Sequence, residues 1–266
     1  MHHRSLFTVI LLCLTFFIGL FPVFAAEGAS SGPTVQAKAA ILVDAASGRV
    51  LYEANARQRM SPASVTKIMT ALLVVEAGDL DQTVTVSEKA ATTPESAVWL
   101  ETGEKLTREQ LLYALMLNSA NDSSVALAES IAGTEEVFVE WMNRKARELG
   151  LEDTHFCNPH GLEASDHYSS AYDLALMSRE AMKHEMFGQV VSSKTKVIPW
   201  TGKDFGRQLI NKNRLLWRYN DANGIKTGYT KAAGNCVVGS AQRGSLTLIA
   251  VALNSPCVYD DLKNIL

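Results

Sequence analysis

The sequence predicts a mixed α+β fold in which one sheet, built from both termini, is packed by helices. Three observations predict it. Short β-rich runs come early, at residues 40–44 and 49–53. The apolar pattern then takes helical spacing through the middle of the chain. Near the end it returns to buried strand-like runs at 235–240 and 246–253. No internal repeat or low-complexity segment interrupts this plan.

The elements follow in order. Arg4 is the only early charge, and a charge-free, largely apolar run extends from Leu6 to Phe24. Val23-Phe24-Ala25 places a small residue where a signal peptidase would cut, so residues 1–25 read as a secretory signal peptide. An uncleaved anchor is the alternative, since the run is nearly long enough to span a bilayer. Cys13 follows Leu12 rather than a small residue, which argues against lipid modification. Residues 26–36 are small and polar and read as a flexible lead-in. The runs at 40–44 and 49–53 flank Ala-Ala-Ser-Gly and form a hairpin.

A helix is expected next, with Ser61 as N-cap, Pro62 at its first position and Gly78 as its stop. Val65, Ile68, Met69, Leu72 and Leu73 lie at helical spacing. Thr107-Arg-Glu-Gln110 is a capping box ahead of Leu111, Leu112 and Leu115. Further helical pattern covers 125–131, 135–149 with Gly150 as stop, and 171–184. Two terminal strands joined at Arg243-Gly244 follow, and residues 260–266 read as the first turns of a helix cut short, as in a truncated chain.

Composition narrows the function. The 266 residues are 47% hydrophobic and 20% charged, an ordinary globular balance. With 25 basic and 28 acidic residues, net charge -3, there is no electrostatic footprint for nucleic acid. The histidines are dispersed, without metal-ligand spacing. Beyond the leader, Cys157, Cys236 and Cys257 match no metal or redox motif, and an odd number cannot pair completely within one chain.

Three short motifs carry chemistry. In Ser64-Val-Thr-Lys67 a helix would set Lys67 beside Ser64, and serine needs such a base to become nucleophilic. Unpaired N–H groups of the first helical turn would favour negative charge there. In Ser119-Ala-Asn121 a polar cluster interrupts two helical stretches; Ser119 could relay a proton, and the Asn121 amide could hold both a lysine and a substrate carbonyl. In Lys226-Thr-Gly228, followed by Tyr229, Lys226 offers a fixed positive charge to a substrate carboxylate. Thr227 adds a hydroxyl donor, and Gly228 lets a peptide lie along the strand. Taken singly these motifs read as a surface pair, a capped helix break and a strand start. Their order and context together are specific: the combination characterises penicillin-interacting serine acyl-transfer enzymes.

The sequence resembles the D-Ala-D-Ala carboxypeptidases among the low-molecular-mass penicillin-binding proteins. Residues 62–70, 158–162, 167–173, 224–230 and Ala233-Gly234 carry the resemblance beyond the motifs. It implies a β-lactamase/transpeptidase-like fold over 37–266, an antiparallel sheet packed by helices, with a helical subdomain over roughly 80–220. It implies that Ser64 attacks the carbonyl before the terminal D-alanine and that Lys67 takes its proton. The backbone N–H groups of Ser64 and Tyr229 would hold the oxyanion, Ser119 would pass the proton to the leaving D-alanine, and Lys226 and Thr227 would bind its carboxylate. Peptidoglycan stem peptides and β-lactams are the implied partners, at the extracytoplasmic face of the envelope, and no metal or organic cofactor is implied.

Members commonly carry a β-rich C-terminal domain and an amphipathic membrane-anchoring helix, and this chain ends before either, so any membrane association would reside in a C-terminal region absent here. Some members also use an arginine after the last core strand for the carboxylate; residues 254–261 contain none. Three rivals share the motifs. A class A β-lactamase would need a Glu-x-x-x-Asn loop between the second and third motifs, where the chain has Asn158-Pro-His-Gly-Leu162, and usually an aspartate where Ala120 stands. A transpeptidase would share the acyl-enzyme but deliver it to an amine. A non-catalytic penicillin-binding sensor would not need the full set of Ser64, Lys67, Ser119 and Lys226.

Overall fold

The computed structural model describes residues 32–266, and Pro33–Leu266 form one compact unit. The expected signal peptide, Cys13 and the first part of the lead-in lie outside the described residues. Residues 33–36 form no regular element, and the Gln36 amide donates to the Asp261 carboxylate at 2.8 Å.

The expected hairpin is β1 (Ala39–Asp44) and β2 (Val50–Ala54). A 3₁₀ turn, Ala63–Thr66, leads into α1 (Lys67–Ala77). Then come β3 (Thr83–Thr85), α2 (Glu88–Ala91), β4 (Lys105–Thr107), α3 (Arg108–Leu117), α4 (Asn121–Ala132) and α5 (Glu135–Glu148). After a long loop follow α6 (Ala171–Ala181), α7 (Glu185–Ser192), β5 (Thr195–Ile198), β6 (Arg207–Ile210) and α8 (Leu215–Arg218). The chain closes with β7 (Ala222–Thr230), β8 (Gly234–Arg243), β9 (Leu246–Leu253) and α9 (Val258–Ile265).

The main sheet runs β2-β1-β9-β8-β7, antiparallel throughout, with Ala39 opposite Leu253. The two ends of the described chain therefore do meet in one sheet. Side chains alternate across it with the strand period of two. Ile41, Val43, Val238, Ile249, Val251 and Leu253 join the larger core with α1 and α6. Leu42, Val237, Ala250 and Ala252 face Val258, Leu262 and Ile265 of α9. Helices cover both faces, which is why residues 248–253 read as an unbroken apolar run rather than an alternating one.

Three sequence expectations need correction. Ser61 caps no helix: Pro62 is the N-cap residue, Ala63 has φ 49°, and the expected first turn is 3₁₀. Tertiary contacts from the 158–162 loop and β7 hold that turn in place of a local cap. The helix expected over 171–184 stops at Ala181, because the Lys183 and His184 amides bond three residues back and tighten the chain before α7 begins. The helical pattern expected from 125 begins earlier, at Asn121. The small hairpins β3–β4 and β5–β6 went unpredicted, being strands of three or four residues with largely polar or exposed side chains.

The Thr107 capping box is present on α3. A buried fork joins β4 to β6: Arg207 meets both Glu104 oxygens at 2.7 and 2.8 Å and donates to the Trp99 carbonyl. Burial by itself would raise the Glu104 pKa, and the Arg207 fork with the Glu101 amide more than offsets it. The buried Asp122 carboxylate accepts from the Val98, Leu100 and Ser123 amides. Together they fix residues 96–100, and with them one wall of the cleft described next.

Candidate active site

The 3₁₀ turn is pressed from two sides. At Gly228 of β7 a Cβ would stand 2.9 Å from the Ser64 N and 3.0 Å from the Val65 N, so only glycine lets the strand run this close. At Gly161, φ +90°, a Cβ would fall 1.9 Å from the Ala63 carbonyl oxygen. The 3₁₀ turn that carries Ser64 is thus clamped between β7 and the 158–162 loop, and its geometry is set by neighbours distant in sequence.

That loop is braced internally. The Asn158 Oδ1 accepts from the His160 and Gly161 amides, and its Nδ2 donates to the Leu162 carbonyl. Thr70 of α1 donates to the Pro159 carbonyl at 2.6 Å. His167 supports the turn from below. Its Nδ1 accepts from the Cys157 amide, so Nε2 carries the proton and donates to Thr66 at 2.8 Å. Burial pushes the His167 pKa down to about 4, which keeps that tautomer neutral.

Lys67 begins α1 and is wholly buried. Its Nζ lies 3.1 Å from the Ser64 Oγ, 2.7 Å from the Asn121 Oδ1 and 2.6 Å from the His160 carbonyl oxygen. The Asn121 amide is oriented by its Nδ2, which donates to the Pro94 carbonyl at 2.8 Å. Two of the three partners of Nζ can only accept. A neutral amine has two N–H bonds, and these two oxygens use both. Its lone pair then points at the Ser64 hydroxyl, the orientation a general base requires. Burial drives the Lys67 pKa far below the usual lysine range, and the positive charges of Lys226 and Lys212 add to the effect.

Ser119 sits in the junction between α3 and α4 with φ 62°, and its buried Oγ has no partner among the described residues. Lys226 is buried on β7, and its Nζ donates to the Thr227 carbonyl at 2.9 Å. Burial first, then Lys212, lower its pKa to about 7. The fixed charge expected of Lys226 is therefore conditional: near neutrality this buried amine stands between its protonated and neutral forms.

Ser64, Ser119, Thr227, Gly228 and the exposed Tyr229 line one open cleft of about 360 Å³, with Lys67, Asn121 and Lys226 behind its wall. Sequence reasoning missed further lining groups: Glu95, Ser96, Lys212, Asn235 and Tyr259. It also gave no role to the His160 carbonyl or the Asn158 brace. No local signal marks Lys212, which stands in an irregular segment between β6 and α8. Cys236 borders the cleft too, but burial pushes its thiol up to about 11, leaving it protonated and a poor nucleophile.

The pKa directions predict a pH profile. Acylation of Ser64 should rise as pH climbs through the depressed Lys67 pKa, because only the neutral amine accepts the proton. Removing the Lys226 charge (Lys226→Met) should raise the Lys67 pKa and move this acid limb to higher pH. The measurement is the acylation rate by benzylpenicillin against pH. A limb that stays in place would mean that the two lysines are not coupled.

With this geometry in view, the comparisons with known proteins are decisive. Residues 26–257 match the peptidase S11 family, described as D-alanyl-D-alanine carboxypeptidase. The chain belongs to this family. It is 43% identical over 226 residues to the D-alanyl-D-alanine carboxypeptidase DacF of Bacillus subtilis, covering 83% of this chain and 58% of that one. The family member described here thus spans little more than half the length of that curated relative. Its fold matches a D-alanyl-D-alanine carboxypeptidase from Mycobacterium tuberculosis with a TM-score of 0.84 at 31% identity, covering 90% and 92% of the two chains. It also matches a variant of a Streptomyces DD-transpeptidase with a TM-score of 0.83 at 34% identity, covering 88% and 97%. The expected penicillin-binding fold is therefore present.

Proposed function

We propose that this chain is an exported serine D-alanyl-D-alanine carboxypeptidase that removes the terminal D-alanine of peptidoglycan stem peptides. One observation carries the reading: the buried Lys67 Nζ stands 3.1 Å from the Ser64 Oγ and 2.7 and 2.6 Å from two oxygens that can only accept, so that in the neutral amine the lone pair is left for the Ser64 hydroxyl.

The reaction follows from the groups present. Ser64 attacks the carbonyl of the penultimate D-alanine as Lys67 accepts its proton. The oxyanion lies toward the Ser64 and Tyr229 amides, where Gly228 keeps strand and turn in contact. The unpartnered Ser119 hydroxyl passes a proton to the departing amine. Lys226 and Thr227 hold the terminal carboxylate, while Asn121 orients Lys67. Water then hydrolyses the ester. Penicillins acylate the same serine. The helical subdomain over roughly 80–220 supplies the wall bearing Glu95, Ser96, Ser119 and Lys212.

A β-lactamase reading is less well supported. The 158–162 loop offers Lys67 a backbone carbonyl, and the neighbouring Glu163 carboxylate is engaged by the Ala232 amide at the rim. A transpeptidase reading has the Streptomyces likeness in its favour. Both are separable from the main one by a single set of assays. Leaderless protein should release D-alanine from diacetyl-Lys-D-Ala-D-Ala and hydrolyse its penicilloyl-enzyme slowly. Rapid penicillin turnover would point to a lactamase. Products dominated by amine transfer, when an acceptor amine is added, would point to a transpeptidase.

A further inference from the structure

A peptide bound for this reaction has a direction. In the carboxypeptidase reading its terminal carboxylate lies at Lys226 and Thr227, and its scissile carbonyl lies toward the Tyr229 amide. These residues follow one another along β7. The substrate chain upstream of the scissile bond therefore continues past Tyr229 toward Thr230 and Lys231. There a second open recess of about 490 Å³ is lined by Glu95, Leu162, Glu163, Tyr229, Thr230 and Lys231. Glu95 and Tyr229 line the catalytic cleft as well, so the two spaces adjoin.

The two carboxylates of this recess differ in how they are committed. Glu163 accepts from the Ala232 amide at 3.0 Å, and that bond, with the Thr230 hydroxyl, holds its pKa below the usual glutamate range. Glu95 enters no ion pair among the described residues, and its side chain is exposed. Its backbone is nevertheless fixed in a conformation that a residue with a Cβ resists, at φ 71°. Asn121 holds the chain on both sides of it. The Asn121 Nδ2 donates to the Pro94 carbonyl at 2.8 Å, and the Asn121 amide donates to the Ser96 carbonyl at 2.6 Å. The residue that orients Lys67 thus also positions Glu95. Strain of this kind persists where the surroundings over-determine it, and it gathers at ligand-binding positions. Two carboxylates against one lysine, Lys231, give the recess a net negative charge, opposite in sign to the Lys226 end of the cleft.

We propose that Glu95 is a specificity-determining residue that receives an aliphatic side chain ending in an ammonium, as in a diamino acid, on the substrate residue that precedes the two D-alanines. This rests on the carboxypeptidase reading above and deepens it. A substrate with an anionic terminus and a cation two residues upstream then matches the charges at both ends of the cleft. The apolar stem of such a side chain can lie along Leu162 and Tyr229 while its head meets the Glu95 carboxylate. Both charges keep part of their water, so the contact selects among substrates more than it tightens binding.

The test compares the parent, Glu95→Gln and Glu95→Lys on two peptides, diacetyl-Lys-D-Ala-D-Ala and its Nα-acetyl counterpart, whose side-chain ammonium is free. The readout is the ratio of kcat/KM for the two. Burial sets the low Lys67 pKa and the Glu95 charge acts against it, so a change at Glu95 can alter acylation by every substrate; the ratio cancels that effect. At low salt the parent should favour the free ammonium about two- to fivefold, mainly through KM, and added salt should erode the preference. Glu95→Gln should bring the ratio to about one, and Glu95→Lys should invert it. A parent that treats the peptides alike, or a preference that survives Glu95→Gln, would overturn the assignment of Glu95 while D-alanine release upholds the carboxypeptidase reading. If the folded parent releases D-alanine from neither peptide, the carboxypeptidase reading itself fails and this assignment falls with it.

Discussion

Ser64→Ala is expected to remove the acyl-enzyme entirely and to cut D-alanine release by a factor of about 10⁴ or more, the scale seen when a serine nucleophile is deleted. The variant should keep its fold. The turn that carries Ser64 is held by its backbone and by its neighbours: Thr66 is bonded to His167, Ala63 is packed under Gly161, and β7 lies against the Ser64 amide. The serine hydroxyl contributes only its contact with Lys67. Mass spectrometry after exposure to benzylpenicillin gives the direct readout, with circular dichroism as the control for folding. A penicilloyl adduct on the folded variant would assign the nucleophile to another residue. Removing the base instead, by Lys67→Met, should leave a slow residual acylation, since general-base assistance contributes about 10² to 10⁴. The two variants together separate loss of the reacting atom from loss of its activation.

The second large effect is expected at a residue with no functional group. Gly161→Ala places a methyl 1.9 Å from the Ala63 carbonyl oxygen and 2.9 Å from the Thr66 hydroxyl, at a φ of +90° that an L side chain resists. Backbone lies on both sides of this contact, so neither partner yields cheaply. Either the 158–162 loop lifts away, taking the His160 carbonyl from Lys67, or the 3₁₀ turn moves and carries Ser64 with it. Both outcomes unmake the lone-pair geometry at Lys67. The expected result is a stability loss of roughly 2–4 kcal/mol in urea unfolding, together with at least a tenfold drop in the penicillin acylation rate of the folded fraction. Gly150→Ala is a useful contrast: it has φ +69° but nothing within 4 Å of its Cβ, so it should weaken the fold mildly and leave acylation unchanged. Parental acylation by Gly161→Ala would show that the clamp does not position the nucleophile.

Much of the fold was legible in sequence because its signals are local. The β1–β2 hairpin, the Thr107 capping box, the stop at Gly78 and the buried strands β8 and β9 each depend on a few consecutive residues with a matching period or cap. The short hairpins β3–β4 and β5–β6 were not legible, since three or four residues cannot establish a period. The failure at Ser61 is of another kind. A good cap residue stands at a good position, yet tertiary contacts from β7 and the 158–162 loop override the local preference.

The same division holds at the site. The identities and order of Ser64, Lys67, Ser119, Asn121, Lys226, Thr227, Gly228 and Tyr229 were written in the sequence, because side-chain chemistry and spacing along one helix or strand are local properties. Their state was decided by the tertiary structure. Burial by surrounding elements, with Lys226 and Lys212 brought nearby, lowers the Lys67 pKa, and only the His160 carbonyl, 93 residues away, completes the pair of acceptors around its Nζ. Lys226 reads as a fixed charge until its burial brings the pKa to about 7. Lys212 and Tyr259 have no motif and enter the cleft only through the docking of β6 and α9. Residue type decides which reaction a chain could run; desolvation and distance, which exist only once remote segments pack, decide which of its groups are poised to run it.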